Sequence, residues 1–138
     1  MNIVNKSAEL LDNCTEITLS SLSENGYPRT CVLSKIKSDG IKKIWCATGL
    51  SGTKTRHFNA NPKASVCFWK EGNSVTLIGK AIVRTDRQIR EEMWLDWFID
   101  HFPGGIDDPD YCILEFSTTE EATLWIDGEF VTLEGDAL

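Results

Sequence analysis

The fold is organised around the stretch Thr48-Gly49-Leu50-Ser51-Gly52-Thr53-Lys54-Thr55-Arg56-His57-Phe58-Asn59-Ala60-Asn61-Pro62. An apolar run at residues 44–47 comes just before it and predicts a strand, and the segment of Gly, Ser and Thr predicts a loop. A short helix is expected to follow and to stop at Asn61-Pro62, because proline disfavours helical geometry in the preceding residue. A strand, a small-residue loop and a helix start indicate an anion site, since loop and helix offer free backbone N–H groups at the positive end of the helix dipole.

The charges of this stretch favour a small anionic ligand. The whole chain has 14 Lys+Arg against 21 Asp+Glu and a net charge of -7, whereas residues 48–62 contain Lys54, Arg56 and His57 and no acid. A local positive patch on an acidic protein suits a small anion better than a nucleic acid, which the remaining surface would repel. The alternative is a solvated helix start with two ordinary surface cations, and the spacing alone leaves both interpretations open.

Length and composition predict one domain over residues 1–138. A hydrophobic fraction of 41% is enough for a core. No stretch approaches the ~20 apolar residues that span a bilayer, so no membrane association is expected. The N-terminus lacks a basic region followed by an apolar one, so we expect a cytoplasmic protein.

Cysteine and histidine usage predicts no metal site. The five cysteines are odd in number and form no C-x-x-C pair, and four of them lie in apolar runs, as reduced core residues do. The only histidines are His57 and His101, and no Cys/His cluster or H-E-x-x-H motif is present. Nor does any residue pattern identify a catalytic group, and His57 is expected to be a surface residue.

The periodicity of the chain predicts a mainly β protein. After a helix at residues 3–13, strands are expected at residues 15–22, 29–37 and 41–48, joined by tight turns into an antiparallel meander. Strands at 64–69 and 74–84 follow the central helix, and Gly79 indicates a bulge. A helix capped by Asp86 is expected to run to about Phe102, and its one broad apolar stripe indicates a core or a subunit interface. Strands at 111–116, 122–126 and 129–133 complete a β-barrel with helices.

Several features in this order resemble the pyridoxamine 5'-phosphate oxidase-like FMN-binding split-barrel superfamily, in particular its general stress protein branch. They are the segment Asn25–Arg29 entering the second strand, Ala47-Thr48 ending the third, Thr53-Lys54 opening the helix, Asn61-Pro62 closing it, and Gly79. The resemblance covers Ile3 to Ile126. It implies an antiparallel split β-barrel with about three flanking helices that binds flavin mononucleotide (FMN).

The resemblance also implies a set of cofactor-binding residues. Thr53 and Lys54 would hold the FMN phosphate, although Thr53 stands where Arg is common, and Arg56 would compensate. Ser74 falls where the oxidase carries a Gln from the other subunit, and Trp125 falls near an aromatic that approaches the ring. The flavin would lie along the second and third strands, against Arg29, Thr30, Cys31, Val32, Leu33, Ala47 and Thr48. A homodimer with the cofactor between its subunits is implied.

The favoured function is that of an FMN-dependent oxidoreductase of unknown substrate. Pyridoxamine phosphate oxidation is disfavoured, because in the family it depends on a basic C-terminal segment, whereas residues 129–138 are acidic here. Two alternatives stay open. One is a non-catalytic flavin-binding or stress-response protein, and the other is a split barrel that binds a different ligand, such as a deazaflavin or haem.

Overall fold

Eight strands carry most of the regular structure in the computed structural model, which describes residues 1–138. They are β1 Glu16–Leu22, β2 Pro28–Ser34, β3 Lys37–Asp39, β4 Lys43–Gly49, β5 Lys63–Lys70, β6 Asn73–Arg84, β7 Tyr111–Ile126 and β8 Glu129–Glu134. The helices are α1 Ile3–Asp12, α2 Thr53–Ala60 and α3 Arg87–Met93, and 3-10 turns occur at Asp96–Asp100, Gly105–Asp107 and Gly135–Ala137. None of the helices has the length and apolarity needed to cross a membrane.

The strands form one antiparallel sheet in the order β2-β1-β5-β6-β7-β4-β3, with β8 added to β7. β7 is long enough to pair with three strands. Its first part pairs with β4, its last part pairs with β8, and β6 pairs with both parts on the other edge. The sheet curls until β2 comes within 8 Å of β4, but no hydrogen-bonded ladder joins these two strands. The expected split β-barrel with three flanking helices is therefore confirmed.

The predicted three-strand meander is wrong at its third strand. The predicted strand at 29–37 is two strands, β2 and β3, and β4 pairs with β7 rather than with β2. The chain changes partners between Lys35 and Ile36, since the Lys35 N–H donates to Thr15 O at 2.9 Å while the Ile36 N–H donates to Trp45 O at 2.9 Å. These two residues carry the chain across the split of the barrel.

Two further element boundaries differ from the prediction. The strands expected at 111–116 and 122–126 are one strand, β7, and the predicted bulge at Gly79 is confirmed as a register shift between β6 and β7. The helix expected from Asp86 to Phe102 ends at Met93, and Trp94 has extended backbone at φ −63 and ψ 131. This break brings Trp94 edge-on to Tyr111, with a centroid distance of 5.2 Å, an arrangement favourable for aromatic pairs.

Two apolar clusters lie on opposite sides of β7, because successive side chains of a strand point to opposite faces. The larger one fills the barrel and includes Phe68, Leu77 and Leu124. The smaller one lies outside, where α3 and the 3-10 turn at Asp96–Asp100 cover the first part of β7, and it consists of Ile89, Met93, Phe98, Phe102, Tyr111 and Ile113. This second cluster holds an aromatic segment beside the split of the barrel.

Candidate functional site

A groove of about 300 Å³ occupies the split between β2 and β4. One wall is formed by the two strands, and the other is formed by the aromatic segment after α3. The lining residues are Val32, Leu33, Ser34, Ala47, Thr48, Gly49, Trp97, Phe98, His101 and Phe102. The structure thus brings together four residues of the predicted site, namely Val32, Leu33, Ala47 and Thr48.

The aromatic wall of the groove is fixed by packing on the second cluster. Phe98 is buried, and the Trp97 ring meets it edge-on with centroids 4.6 Å apart. His101 packs in turn against Trp97 at 5.8 Å. Sequence reasoning missed this wall, since it assigned the whole apolar stripe to a core or subunit interface. The only signal in the sequence was the polar His101 beside the apolar stripe, and periodicity does not show a helix break. In the structure Trp97 is 49% exposed.

The first turn of α2 lies next to one end of the groove. Gly49 at the end of β4 lines the groove, and Gly52, three residues later, caps the helix. The Thr55 hydroxyl donates to Gly49 O at 2.8 Å and ties this turn to β4. The backbone N–H groups of Thr53, Lys54 and Thr55 donate to no protein acceptor, and Gly52 offers no side-chain cap. Three free amides at a helix start form a local positive centre.

Lys54 is half-buried on the side of α2 that faces the barrel. No carboxylate lies within 4.0 Å of its ammonium group, in a chain of net charge -7. Burial raises the pKa of the Cys46 thiol to about 12 and, with the Asp110 charge, that of the Cys112 thiol to about 11. The positive charge of Lys54 lowers the pKa of both thiols, against the effect of burial. The ammonium group therefore lies near this end of the barrel.

The loop before α2 contributes less to an anion site than the sequence predicts. The Asp110 carboxylate accepts the Ser51 N–H at 2.8 Å, and the Gly52 N–H donates to Gly49 O at 3.1 Å. The loop amides are therefore already satisfied, and only the first turn of α2 offers free donors. Asp110 thus anchors the neighbouring loop through its carboxylate and its backbone carbonyl, which accepts the Leu50 N–H at 2.7 Å.

Two expectations about α2 are wrong. Arg56 points away from the groove, is 61% exposed and forms an ion pair with Glu24 through Nε at 2.8 Å, so it does not reinforce Lys54. His57 is not a surface residue, since it is 3% exposed and its Nδ1 lies 2.8 Å from the Ser21 hydroxyl. The difference arises because α2 lies across the barrel and buries the side that carries His57 and Phe58.

Three of the predicted β2 residues lie on the strand but do not line the groove. Arg29 is exposed. The Thr30 hydroxyl is hydrogen-bonded to Ser20 at 2.8 Å, on the outer face of the sheet. The Cys31 thiol turns inward and donates to Leu19 O at 3.6 Å. Thr53 lies at the start of α2, and its hydroxyl has no protein partner.

Ser74 and Trp125 are register partners of β6 and β7, and neither of them lines the groove. Gly49 of the groove pairs with Tyr111 at the other end of β7. One chain therefore does not bring Ser74 and Trp125 to the rest of the predicted site.

The residues at the groove fit a flat ring with a phosphate tail. The groove offers an apolar surface between an aromatic wall and two strand backbones, which suits a planar ring. The adjoining helix start offers three free amides and one unpaired ammonium group, which suits a phosphate. Within residues 1–138, no three His, Cys, Asp or Glu side chains come close enough to hold a metal ion.

The sequence and the fold both match known proteins. Residues 3–125 match the profile of the family described as Pyridoxamine 5'-phosphate oxidase. No curated protein matches the sequence. A Clostridium acetobutylicum protein related to general stress protein 26 of Bacillus subtilis, of the pyridoxine phosphate oxidase family, is 28% identical, with a TM-score of 0.85 over 98% of this chain and 96% of its own.

Two more distant solved structures share the fold. General stress protein 26 from Bacillus anthracis is 18% identical, with a TM-score of 0.78 over 96% of this chain and 100% of its own. A haem-binding protein from Mycobacterium smegmatis is 16% identical, with a TM-score of 0.78 over 99% of this chain and 60% of its own. By its family match and its split barrel, this chain belongs to the pyridoxamine 5'-phosphate oxidase family, in the form related to general stress protein 26.

Proposed function

We propose that this protein binds FMN and acts as an FMN-dependent oxidoreductase whose substrate is not yet identified. The observation that carries the proposal is the half-buried Lys54, which has no acidic partner and lies beside three free backbone amides at the end of an apolar groove. A positive centre of this kind stabilises a dianionic phosphate monoester, and the family match makes FMN its best candidate.

Each part of the site has a separate task in this proposal. Lys54 and the amides of Thr53, Lys54 and Thr55 hold the phosphate, and the Thr53 hydroxyl adds a neutral donor. The strand backbones at Val32-Leu33 and Ala47-Thr48 support the ring, and Trp97 covers it and excludes water. A bound flavin supplies the redox chemistry, while the protein supplies its placement and its electrostatic environment. The absence of an acid–base pair in the groove agrees with this division.

We also propose a homodimer with the cofactor between its subunits. The outer face of the sheet carries two uncharged rows in register, Thr18-Cys67-Thr76-Thr123-Thr132 and Trp69-Ser74-Trp125-Phe130. Trp69, Trp125 and Phe130 are 60%, 42% and 63% exposed. Such an uncharged, aromatic surface on an acidic protein supports burial against a second copy. A partner would also supply Ser74 and Trp125, which do not line the groove of their own chain.

The reducing interior of the cytoplasm is the setting that we propose for this protein. All five cysteines are unpaired, and Cys31 and Cys67 are only partly buried. Free and partly accessible thiols persist in reducing compartments, whereas secreted proteins tend to form disulfides.

The phosphate site can be tested by comparing FMN with riboflavin, which lacks the phosphate. Lys54→Ala is expected to weaken FMN binding by about 10- to 100-fold, the loss of one charge-assisted contact, and to change riboflavin binding little. Arg56→Ala is the matched control, because it removes an equal charge from the same helix that points to Glu24 instead. Quenching of flavin fluorescence gives both dissociation constants. Equal losses for the two ligands in Lys54→Ala would contradict the phosphate site.

The oxidoreductase activity needs a separate experiment. Anaerobic addition of NADH or NADPH to the FMN-loaded protein should bleach the flavin absorbance, and an electron acceptor should restore it with repeated turnover. A flavin that stays oxidised with both donors would instead support the non-catalytic flavin-binding protein.

Haem is the second candidate ligand. It is favoured by the exposed imidazole of His101 at the groove, since histidine is a common axial ligand of haem iron. The fold shared with the haem-binding protein from Mycobacterium smegmatis agrees with this alternative. A Soret band that appears on titration with haemin and is lost in His101→Ala, without saturable FMN binding, would decide in favour of haem.

A further inference from the structure

The hydrogen bond between Ser21 and His57 is buried beneath α2, outside the groove. Ser21 and His57 are each 3% exposed, and the Ser21 Oγ lies 2.8 Å from His57 Nδ1. Ser21 belongs to β1, the neighbour of β2, so this bond joins α2 to the strands on the other side of the split from β4. Neither residue contacts the groove, and neither has a role in the site described above.

This bond has a counterpart on the other side of Lys54. Because an α-helix turns about 100° per residue, Lys54 lies between His57 and Thr55 when α2 is viewed along its axis. The Thr55 hydroxyl bonds Gly49 O on β4, and His57 bonds Ser21 on β1. Phe58 anchors the helix in the core between the two bonds, at 4% exposure. The two polar bonds therefore fix the rotation of α2 about its own axis.

The β1–β2 turn adds a weaker contact to the same histidine. Glu24 Oε2 lies 4.0 Å from His57 Nε2, while its Oε1 accepts from Arg56 Nε at 2.8 Å. Glu24 is 58% exposed, so solvent screens this contact, and the buried bond to Ser21 is the stronger constraint.

We propose that Ser21 and His57 are positioning residues for the phosphate of the cofactor. Their hydrogen bond holds α2 in the one rotation that directs the Lys54 ammonium group toward the groove. Without the hydrogen bond to Ser21, α2 rotates about the remaining Thr55 bond. The Lys54 ammonium group then no longer points toward the groove. The proposal rests on the proposed phosphate site and identifies what keeps that site in shape.

The test measures the preference for FMN over riboflavin in a set of variants. Ser21→Ala and His57→Leu are each expected to lose about tenfold of that preference, the effect of one buried hydrogen bond. His57→Asn is the conservative variant, since its amide reaches the position of Nδ1 and can still bond Ser21. It is expected to stay within about threefold of wild type. Ser21→Ala and His57→Asn decide the outcome if thermal melts show that His57→Leu does not fold.

A double variant separates positioning from general structural support. If Ser21 acts through Lys54, its effect should disappear once Lys54 is gone. Adding Ser21→Ala to Lys54→Ala should then change FMN binding by less than about twofold, because no ammonium group remains to be positioned. An equal loss for FMN and riboflavin in Ser21→Ala, or a full further loss in the double variant, would overturn the positioning role. A wild-type protein without any preference for FMN would overturn the phosphate site itself and this proposal with it.

Discussion

Glu115 is a nearly buried carboxylate on the outer side of β7, 8% exposed. It accepts the Trp45 Nε1–H at 2.8 Å and the Arg84 Nη1–H at 2.9 Å, and Lys43 Nζ lies 3.7 Å away. Burial alone would raise the pKa of this carboxyl, but the two hydrogen bonds and the charges of Lys43 and Arg84 outweigh burial and lower it. Glu115 thus joins β4, β6 and β7 in its charged form.

Glu115→Gln should reduce the free energy of unfolding by about 1–3 kcal/mol near pH 7, since Arg84 loses a charged acceptor in a partly buried site. The lowered pKa means that the charged form stabilises the fold above the ordinary value of 4.5 and that this contribution is lost as the pH falls through the folded-state pKa. Urea denaturation of both proteins should therefore give a difference that shrinks between about pH 5 and pH 3. A difference independent of pH would contradict the ion pair.

The predictability of single residues depended on whether their partners are close in sequence. The place of Lys54 in a positive helix start could be predicted, because the loop, the helix start and the lack of neighbouring acids are all local in sequence. The contacts of Asp110 and His101 at the site could not be predicted, since both residues belong to segments about 50 residues away in the sequence. The buried state of His57 also depends on a distant partner, Ser21 on β1.

The paired strands β6 and β7 depend on one glycine. A Cβ at Gly79 would lie 1.9 Å from Ser117 O and 2.9 Å from Thr119 N, both backbone atoms that move only with the strand. Gly79→Ala should therefore destabilise the protein by about 3 kcal/mol or more, through strain at the bulge. Thermal unfolding checks this, with Lys80→Ala at the next, exposed position as the control. A melting temperature equal to that of the control variant would contradict the close approach.

Strands and turns could be predicted better than their pairing. The hairpin turns at Asn25-Gly26 and Asp127-Gly128 were recognisable, and the structure has positive φ at Gly26, Asp127 and Gly128. The partner of β4 could not be predicted, because alternation reports which face of a strand is buried but not which strand lies beside it. The same limit applies to the helix break at Trp94, whose cause is aromatic packing on the distant Tyr111.

The homodimer that we propose uses the uncharged outer face of the sheet. We expect a dimer in sedimentation velocity, and we expect Trp125→Glu to shift it toward monomer, because the change places a charge in the row Trp69-Ser74-Trp125-Phe130. FMN binding should fall with the dimer, since the second subunit is proposed to complete the site. Lys42→Gln, at an exposed position in the turn before β4, is the control because it makes the net charge more negative by the same one unit. A Trp125→Glu protein that stays dimeric would contradict this interface.

The general architecture of the molecule could be predicted, and the geometry of the site only in part. The order of short strands and the central helix predicted a β-barrel with helices, because each signal is local, and the family resemblance implied its split form. The groove depends on the curl of an eight-stranded sheet and on the change of partner strand between Lys35 and Ile36. Local sequence patterns predict neither feature.

The central claim is that the first turn of α2 holds the phosphate of FMN while the ring lies in the split between β2 and β4. A crystal structure of the protein with FMN tests it most directly. We expect phosphate oxygens at ~3 Å from the amides of Thr53 to Thr55 and from Lys54 Nζ, with the ring between Val32-Leu33 and Ala47-Thr48. A phosphate bound elsewhere, or a first turn of α2 without ligand in crystals saturated with FMN, would contradict the account.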